Sequence, residues 1–204
     1  MTTSKSAVAR RARTRAAPVA LSPADRPLRA ERREAVLERF EAALSAGDGL
    51  TGAHCVHELW MRSEIGLNVE ALLSKLWTHA ATTIPDWLPM RYVEWLPAVY
   101  DVTARVQPSR RGRHNLYLVL LDYADSRADP HGLYVGMTRY APADRFDQHK
   151  AGIRAAGSVL KRGLEVLAGP TLHLQRLQRG EAARLEEQLA EALRAAGLFV
   201  RGGH

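Results

Sequence analysis

Asn115-Leu116-Tyr117-Leu118-Val119-Leu120-Leu121-Asp122-Tyr123 is the stretch whose pattern decides the fold. Side chains of a strand alternate between two faces, and here both alternating sets are largely apolar, so the segment must be covered on each side. It therefore reads as a central strand between two layers. Residues 124–132 carry Asp125, Ser126, Asp129, Pro130 and Gly132, which is turn chemistry, and the apolar run Leu133-Tyr134-Val135 resumes at once. The two runs predict a hairpin with a long loop.

Downstream of the hairpin, a helix from about Ala143 to Ala156 puts Arg145 and His149 one turn apart on a single face, with Gly152 following. A short strand or turn region around Leu164 to Leu174 comes next, interrupted by Gly169-Pro170. The last helix runs from roughly Glu181 to Ala196, with Gly197 as its C-cap. Its apolar arc holds Ala182, Leu185, Leu189, Ala192, Leu193 and Ala196. At about 100° per residue, Glu186 falls at the margin of that arc, while Glu187 and Glu191 point well away. A carboxylate so placed needs a partner, since burying it unpaired costs several kcal/mol or more. Glu186 is thereby singled out by helical angle alone.

Upstream, Pro108-Ser109-Arg110-Arg111-Gly112-Arg113 reads as a basic, flexible joint, and the domain boundary is placed there. Residues 30–106 read as a helical module. Val36, Leu37, Phe40, Ala43 and Leu44 share one helix face, and Gly47 with Gly49 forms a stop. A second helix covers His54 to Glu64. A third starts after Asn68 as N-cap and carries Leu72, Leu73, Leu76 and Trp77. Pro85, Pro89 and Pro97 break up the remainder. His54, His57 and His79 lack a matching carboxylate spacing and read as surface or half-buried helix residues rather than metal ligands. Residues 1–28, with Lys5, Arg10, Arg11, Arg13 and Arg15, form a basic arm that either skims phosphates or keeps the chain soluble.

The 204 residues carry a formal charge of +7 and a pI near 10.0, which favours polyanionic partners, nucleic acid first. A hydrophobic fraction of 46% and a charged fraction of 25% are those of a globular chain, and no stretch is long and apolar enough to span a bilayer. Cys55 is the single cysteine, which excludes an internal disulfide and a Cys-rich zinc site and fits a reducing compartment, the cytoplasm.

Over about residues 113–204 these elements resemble the GIY-YIG nucleases. Asn115-Leu116-Tyr117 stands where Gly-Ile-Tyr is usual and keeps the tyrosine. Leu133-Tyr134-Val135-Gly136-Met137-Thr138 matches the Tyr-Ile-Gly strand, and Arg145-Phe146-Asp147-Gln148-His149-Lys150 matches the helix that runs from arginine to histidine. Glu181-Ala182-Ala183-Arg184-Leu185-Glu186 matches the segment that supplies a metal-binding glutamate. The family's asparagine near its C-terminal end has no counterpart after Asn115; Gly202-Gly203-His204 stands there, with His204 as the candidate substitute.

The resemblance implies an α+β fold, a small three-stranded antiparallel sheet flanked by helices and here preceded by the helical module. It also implies an endonuclease that hydrolyses DNA with Mg²⁺ or Mn²⁺ through a one-metal, tyrosine-assisted mechanism. Tyr134 would be the general base and Tyr117 its assistant. Arg145 would grip the scissile phosphate, His149 would bind that phosphate or orient a tyrosine, and Glu186 would hold the metal. Arg139, Lys150, Arg154, Lys161 and Arg162 surround these elements as candidates for the DNA backbone. Asp122, Asp125 and Asp129 read as loop residues rather than a second metal site. A non-catalytic nucleic-acid-binding or adaptor protein that retains the fold is the alternative.

Overall fold

The computed structural model of the chain describes residues 23, 26–62, 66–109 and 111–203. Most of the basic arm, Arg110 of the joint and His204 lie outside the described residues. The chain opens with three packed helices, α1 (Arg33–Ala46), α2 (Gly49–Met61) and α3 (Val69–Ala80). Gly47 ends α1 in a left-handed conformation with φ 66°, and the next residue, Asp48, caps α2 by accepting from the Thr51 N–H at 3.0 Å. The Gly47/Gly49 pair is thus a stop followed at once by a start, and α2 begins five positions before His54. Asn68 caps α3 as the sequence predicts, accepting from the Ala71 N–H at 2.9 Å.

A fourth helix, α4 (Leu96–Ala104), occupies part of the stretch read as irregular. Pro97 sits in its first turn, where the missing N–H costs nothing, so this proline starts a helix instead of breaking one. His54 and His57 are both buried on α2 against Trp87, with His57 also on Tyr100, whereas His79 is exposed.

The second half of the chain supplies β1 (Asn115–Asp122), β2 (His131–Thr138), α5 (Pro142–Lys150), α6 (Gly157–Arg162), β3 (Gly163–Val166), α7 (Ala168–Thr171), α8 (Arg179–Ala195) and β4 (Val200–Gly202). The protein is α+β, and its sheet has the order β3-β1-β2-β4. β3, β1 and β2 are antiparallel, as expected, but β4 adds a fourth strand parallel to β2, so the sheet is mixed. Three residues are too few to show an alternating pattern in sequence. The helix expected from Ala143 to Ala156 stops at Lys150; Gly152 then adopts φ 78°, and a turn leads into α6.

β1 is buried at every position from Leu116 to Leu121. One of its faces, with Leu116, Leu118 and Leu120, joins Leu133, Val135 and Val200, the Leu185, Leu189 and Leu193 stripe of α8, and the helical segment's Phe40, Leu59, Leu76 and Leu96 in a single core. The other face, with Tyr117, Val119, Leu121 and Tyr123, packs beneath α5 and α6 through Phe146 and Val159. Glu165 of β3 accepts from the backbone N–H groups of Met90 and Arg91 at 3.0 and 3.2 Å, which ties the loop before α4 to the sheet. Among the described residues no helix is long and apolar enough to cross a membrane.

The end of the stretch read as a basic arm is anchored. Leu28 is in the core, and Arg26 grips the buried Glu58 carboxylate through two bonds of 2.7 and 2.9 Å. Arg62 adds a third at 2.8 Å. Burial alone would raise the Glu58 carboxyl, but these hydrogen bonds and charges outweigh it and hold the group below its ordinary value. Removing the carboxylate leaves two guanidinium groups without their anion, so Glu58→Ala should lower the unfolding free energy by about 3 kcal/mol, measured by urea denaturation.

Candidate active site

The odd-numbered face of β1 places Tyr117 under α5. Its Oη lies 2.8 Å from Nε2 of His149, and both side chains are almost wholly buried. The other ring nitrogen, Nδ1, sits 2.9 Å from the backbone N–H of Ala156. A peptide N–H can only donate, so Nδ1 must be the bare nitrogen. In the neutral ring the proton is then on Nε2, which donates to the Tyr117 oxygen. Burial, reinforced by the charge of Arg145, pushes the His149 pKa down to about 4, so the ring is neutral at pH 7.

Tyr134 joins from β2. Tyr117 pairs with Gly136 and Val119 with Tyr134, so the two tyrosines share a face, with ring centres 6.0 Å apart and the His149 ring 5.9 Å from Tyr134. Gly136 lies beneath both rings. A Cβ there would come within 2.6 Å of Cε1 of Tyr134 and 2.8 Å of Cζ and the hydroxyl of Tyr117. The glycine of the Tyr134-Val135-Gly136 tripeptide is therefore set by ring packing and not by backbone conformation.

Arg145 reaches the same place from α5. Its Nη1 donates to Oε1 of Gln148 at 3.1 Å and to the carbonyl of Ile153 at 3.2 Å, and its Nη2 donates to the carbonyl of Arg154 at 2.8 Å. The early end of α5 matters here, since the turn that follows supplies two of these acceptors. Arg154 itself holds φ 47°, a left-handed value unusual for a residue with a side chain. The guanidinium lowers the pKa of both tyrosines, against burial, which raises them; Tyr117 is pushed well above an ordinary phenol.

Glu186 is half-buried on α8, while Glu187 and Glu191 are exposed, as their helical angles predict. Its charge raises Tyr134, although α8 belongs to the opposite layer. β4 is short and its pairing with β2 ends at Gly202 beside Val135. Gly202 and Gly203 take φ of 81° and 74°, and the chain threads between Tyr134 and α8. A Cβ on Gly202 would meet the Val135 carbonyl at 2.0 Å, and one on Gly203 would come within 2.3 Å of the Ala190 Cβ. Only glycine passes there. His204, the candidate for the terminal position of the site, lies outside the described residues.

The basic candidates divide. Arg139, Arg154 and Lys161 are exposed. Lys150 donates to the carbonyls of Leu160 and Gly163 at 3.3 and 3.1 Å. Arg162 is bonded to Asp125 and to the Asp122 carbonyl and lies 4.4 Å over the Tyr123 ring. These two hold the structure together, a distinction that charge in a sequence cannot make. The three loop aspartates do have local roles: Asp122 and Asp129 accept from the Ala124 and His131 N–H groups, and Asp125 pairs with Arg162.

Sequence reasoning missed Gln148 and the Ala156 N–H, the supports of Arg145 and His149, because a backbone donor leaves no mark in sequence and Gln148 looks like any polar helix residue. No protein-family model, curated protein or solved structure matches the chain.

Two outcomes follow from the geometry. Below pH 6.5 the unfolded chain protonates histidines that the folded chain keeps neutral down to about 4, so acidification through that window removes stability. Urea midpoints should fall across it, and His149→Gln should remove part of the slope, with His57 a second contributor. Gly136→Ala should cost about 1–3 kcal/mol through overpacking and separate Tyr117 from His149, seen by NMR as loss of the hydrogen-bonded His149 Nε2 proton.

Proposed function

We infer that the protein is an endonuclease that hydrolyses DNA phosphodiester bonds with a divalent cation, Mg²⁺ or Mn²⁺. The observation that carries this reading is the one-directional hydrogen-bond chain from the Ala156 N–H through His149 to Tyr117, with Tyr134 next in line. Because the Tyr117 oxygen accepts from His149, its own proton is available to Tyr134. That hydrogen bond favours a Tyr134 phenolate, and Arg145 favours it too. Tyr117 is 1% exposed and its oxygen is already occupied, so it supports a base without being one. Tyr134 is only half-buried and takes the proton from the attacking water.

Arg145 is anchored at its Nη1 by Gln148 and Ile153 and at its Nη2 by the Arg154 carbonyl, which fixes the plane of the guanidinium beside the tyrosines, where it can meet a phosphate oxygen. A fixed planar fork at that point meets the negative charge that builds on the phosphorus centre. Among the described residues no group of three or more His, Cys, Asp or Glu side chains could hold a metal ion, so a cation at Glu186 would be held by that one carboxylate together with water and substrate phosphate. That donor set suits Mg²⁺ or Mn²⁺ and not zinc. When bound, the cation supplies positive charge to the phosphate oxygens and to the water. The net charge of +7 supports DNA as partner, and the lone, buried Cys55 fits the cytoplasm.

Plasmid nicking tests the reading. The wild-type protein should cut with Mg²⁺ and stop with EDTA; Glu186→Ala and Arg145→Ala should abolish cutting, and Tyr134→Phe should slow it by about 10²- to 10⁴-fold. Equal cutting by all four would mean contamination. A wild-type protein that binds DNA without cutting it would establish the non-catalytic reading instead.

A further inference from the structure

The face that carries Tyr117 and Tyr134 continues past them. Arg201 of β4 pairs in register with Tyr134, so its side chain stands on the same face one strand over, about 4.8 Å away along the hydrogen-bonding direction. Its guanidinium carbon lies 5.0 Å from the centre of the Phe199 ring. Arg127, from the loop between β1 and β2, lies over the same ring at 3.9 Å. Tyr123 meets that ring edge-on with centres 4.8 Å apart. Two cations thus share one aromatic ring in a row that starts at Tyr134.

Neither arginine has an ion-pair partner among the described residues. The carboxylates nearest in sequence to Arg127 are committed elsewhere, Asp125 to Arg162 and Asp129 to the His131 N–H. Attraction to the ring face is weak at an exposed site, and two like charges well within a Debye length offset part of it. The arrangement gains most when an anion with more than one charge lies across both groups. Since guanidinium groups already cover Phe199, the ring orients cations and does not stack bases.

The geometry points to Arg201 and Arg127 as a phosphate track that holds the nucleic-acid backbone beside the scissile bond. The inference rests on DNA being the substrate of the tyrosine site, and it adds where the strand leaves that site: across β4 and towards the β1–β2 loop. It favours a phosphodiester backbone over an acidic peptide because the row is continuous with the face that carries Tyr134.

Binding of a fluorescein-labelled DNA duplex in EDTA, followed by anisotropy over a range of KCl concentrations, tests this without turnover. Each phosphate contact contributes about 0.9 to the slope of log Kd against log salt. Arg201→Ala and Arg127→Ala should each lower that slope by about 1 and the double variant by about 2. Arg201→Lys and Arg127→Lys should restore it, because the charge returns. Arg105→Ala, at the exposed C-cap of α4, should leave it unchanged. A merely structural role for the stack would shift melting temperature and leave the slope alone. If the alanine variants keep the wild-type slope, or if polyglutamate competes as well as DNA, the track is overturned. Retained nicking by wild type in that case leaves the nuclease reading standing, whereas slope changes without nicking by any protein would keep the track and remove the hydrolysis.

Discussion

The burial of β1 on both faces is the constraint from which the rest of the structure follows. A strand covered on each side must recruit two layers, and its two alternating sets then acquire different duties. Leu116, Leu118 and Leu120 commit one face to the shared core with α8 and the helical segment. Burying each is worth about 1.5–3 kcal/mol, which fixes register, because a slip of one residue would put Tyr117 into that core and a leucine under α5. The tyrosine face inherits its position from this choice. His149 can meet Tyr117 at 2.8 Å only because the leucines opposite leave the strand no freedom to shift.

Much of this was legible in advance. The apolar pattern of residues 115–123, the turn chemistry after it, and the helical angle of Glu186 each have a physical cause that a sequence expresses directly. What stayed hidden has causes that a sequence does not express. β4 is only three residues long and is built on the edge of β2, so tertiary pairing and not local pattern creates it. The end of α5 at Lys150 is not legible because the residues from Ala151 to Ala156 are compatible with a helix, whereas the turn at Gly152 presents the carbonyls that hold Arg145. Pro97 reads as a breaker in the sequence because composition alone does not say whether a proline falls in a first turn or an interior one.

The positive charge of the chain divides in the same way. Arg26 and Arg62 are spent on Glu58, Arg39 on Glu31 and Arg162 on Asp125, and Lys150 caps backbone carbonyls. A formal +7 therefore overstates what some regions offer a polyanion and says nothing of where the remainder lies. Arg127 and Arg201 emerge because they lack such partners among the described residues and because one aromatic ring gathers them on the face of Tyr134. Cation–π placement at a register neighbour of a tyrosine is a property of the sheet.

The proposed base is held in a balance that explains why the surrounding groups are as they are. Burial raises Tyr134 first of all, the Glu186 charge adds to that, and the Tyr117 hydrogen bond and Arg145 work against both. With Glu186 charged, the raising influences win and Tyr134 sits above an ordinary phenol. Positive charge placed on Glu186 cancels one of the two raising influences and leaves the two lowering ones in place, so charge at α8 is felt at β2 without any change of shape. His149 cannot take over as base, since its only bare nitrogen is occupied by the Ala156 N–H and faces away from the tyrosines. The histidine's work is to keep the Tyr117 oxygen as an acceptor, which orients the Tyr117 proton towards Tyr134 in every protonation state above about pH 4.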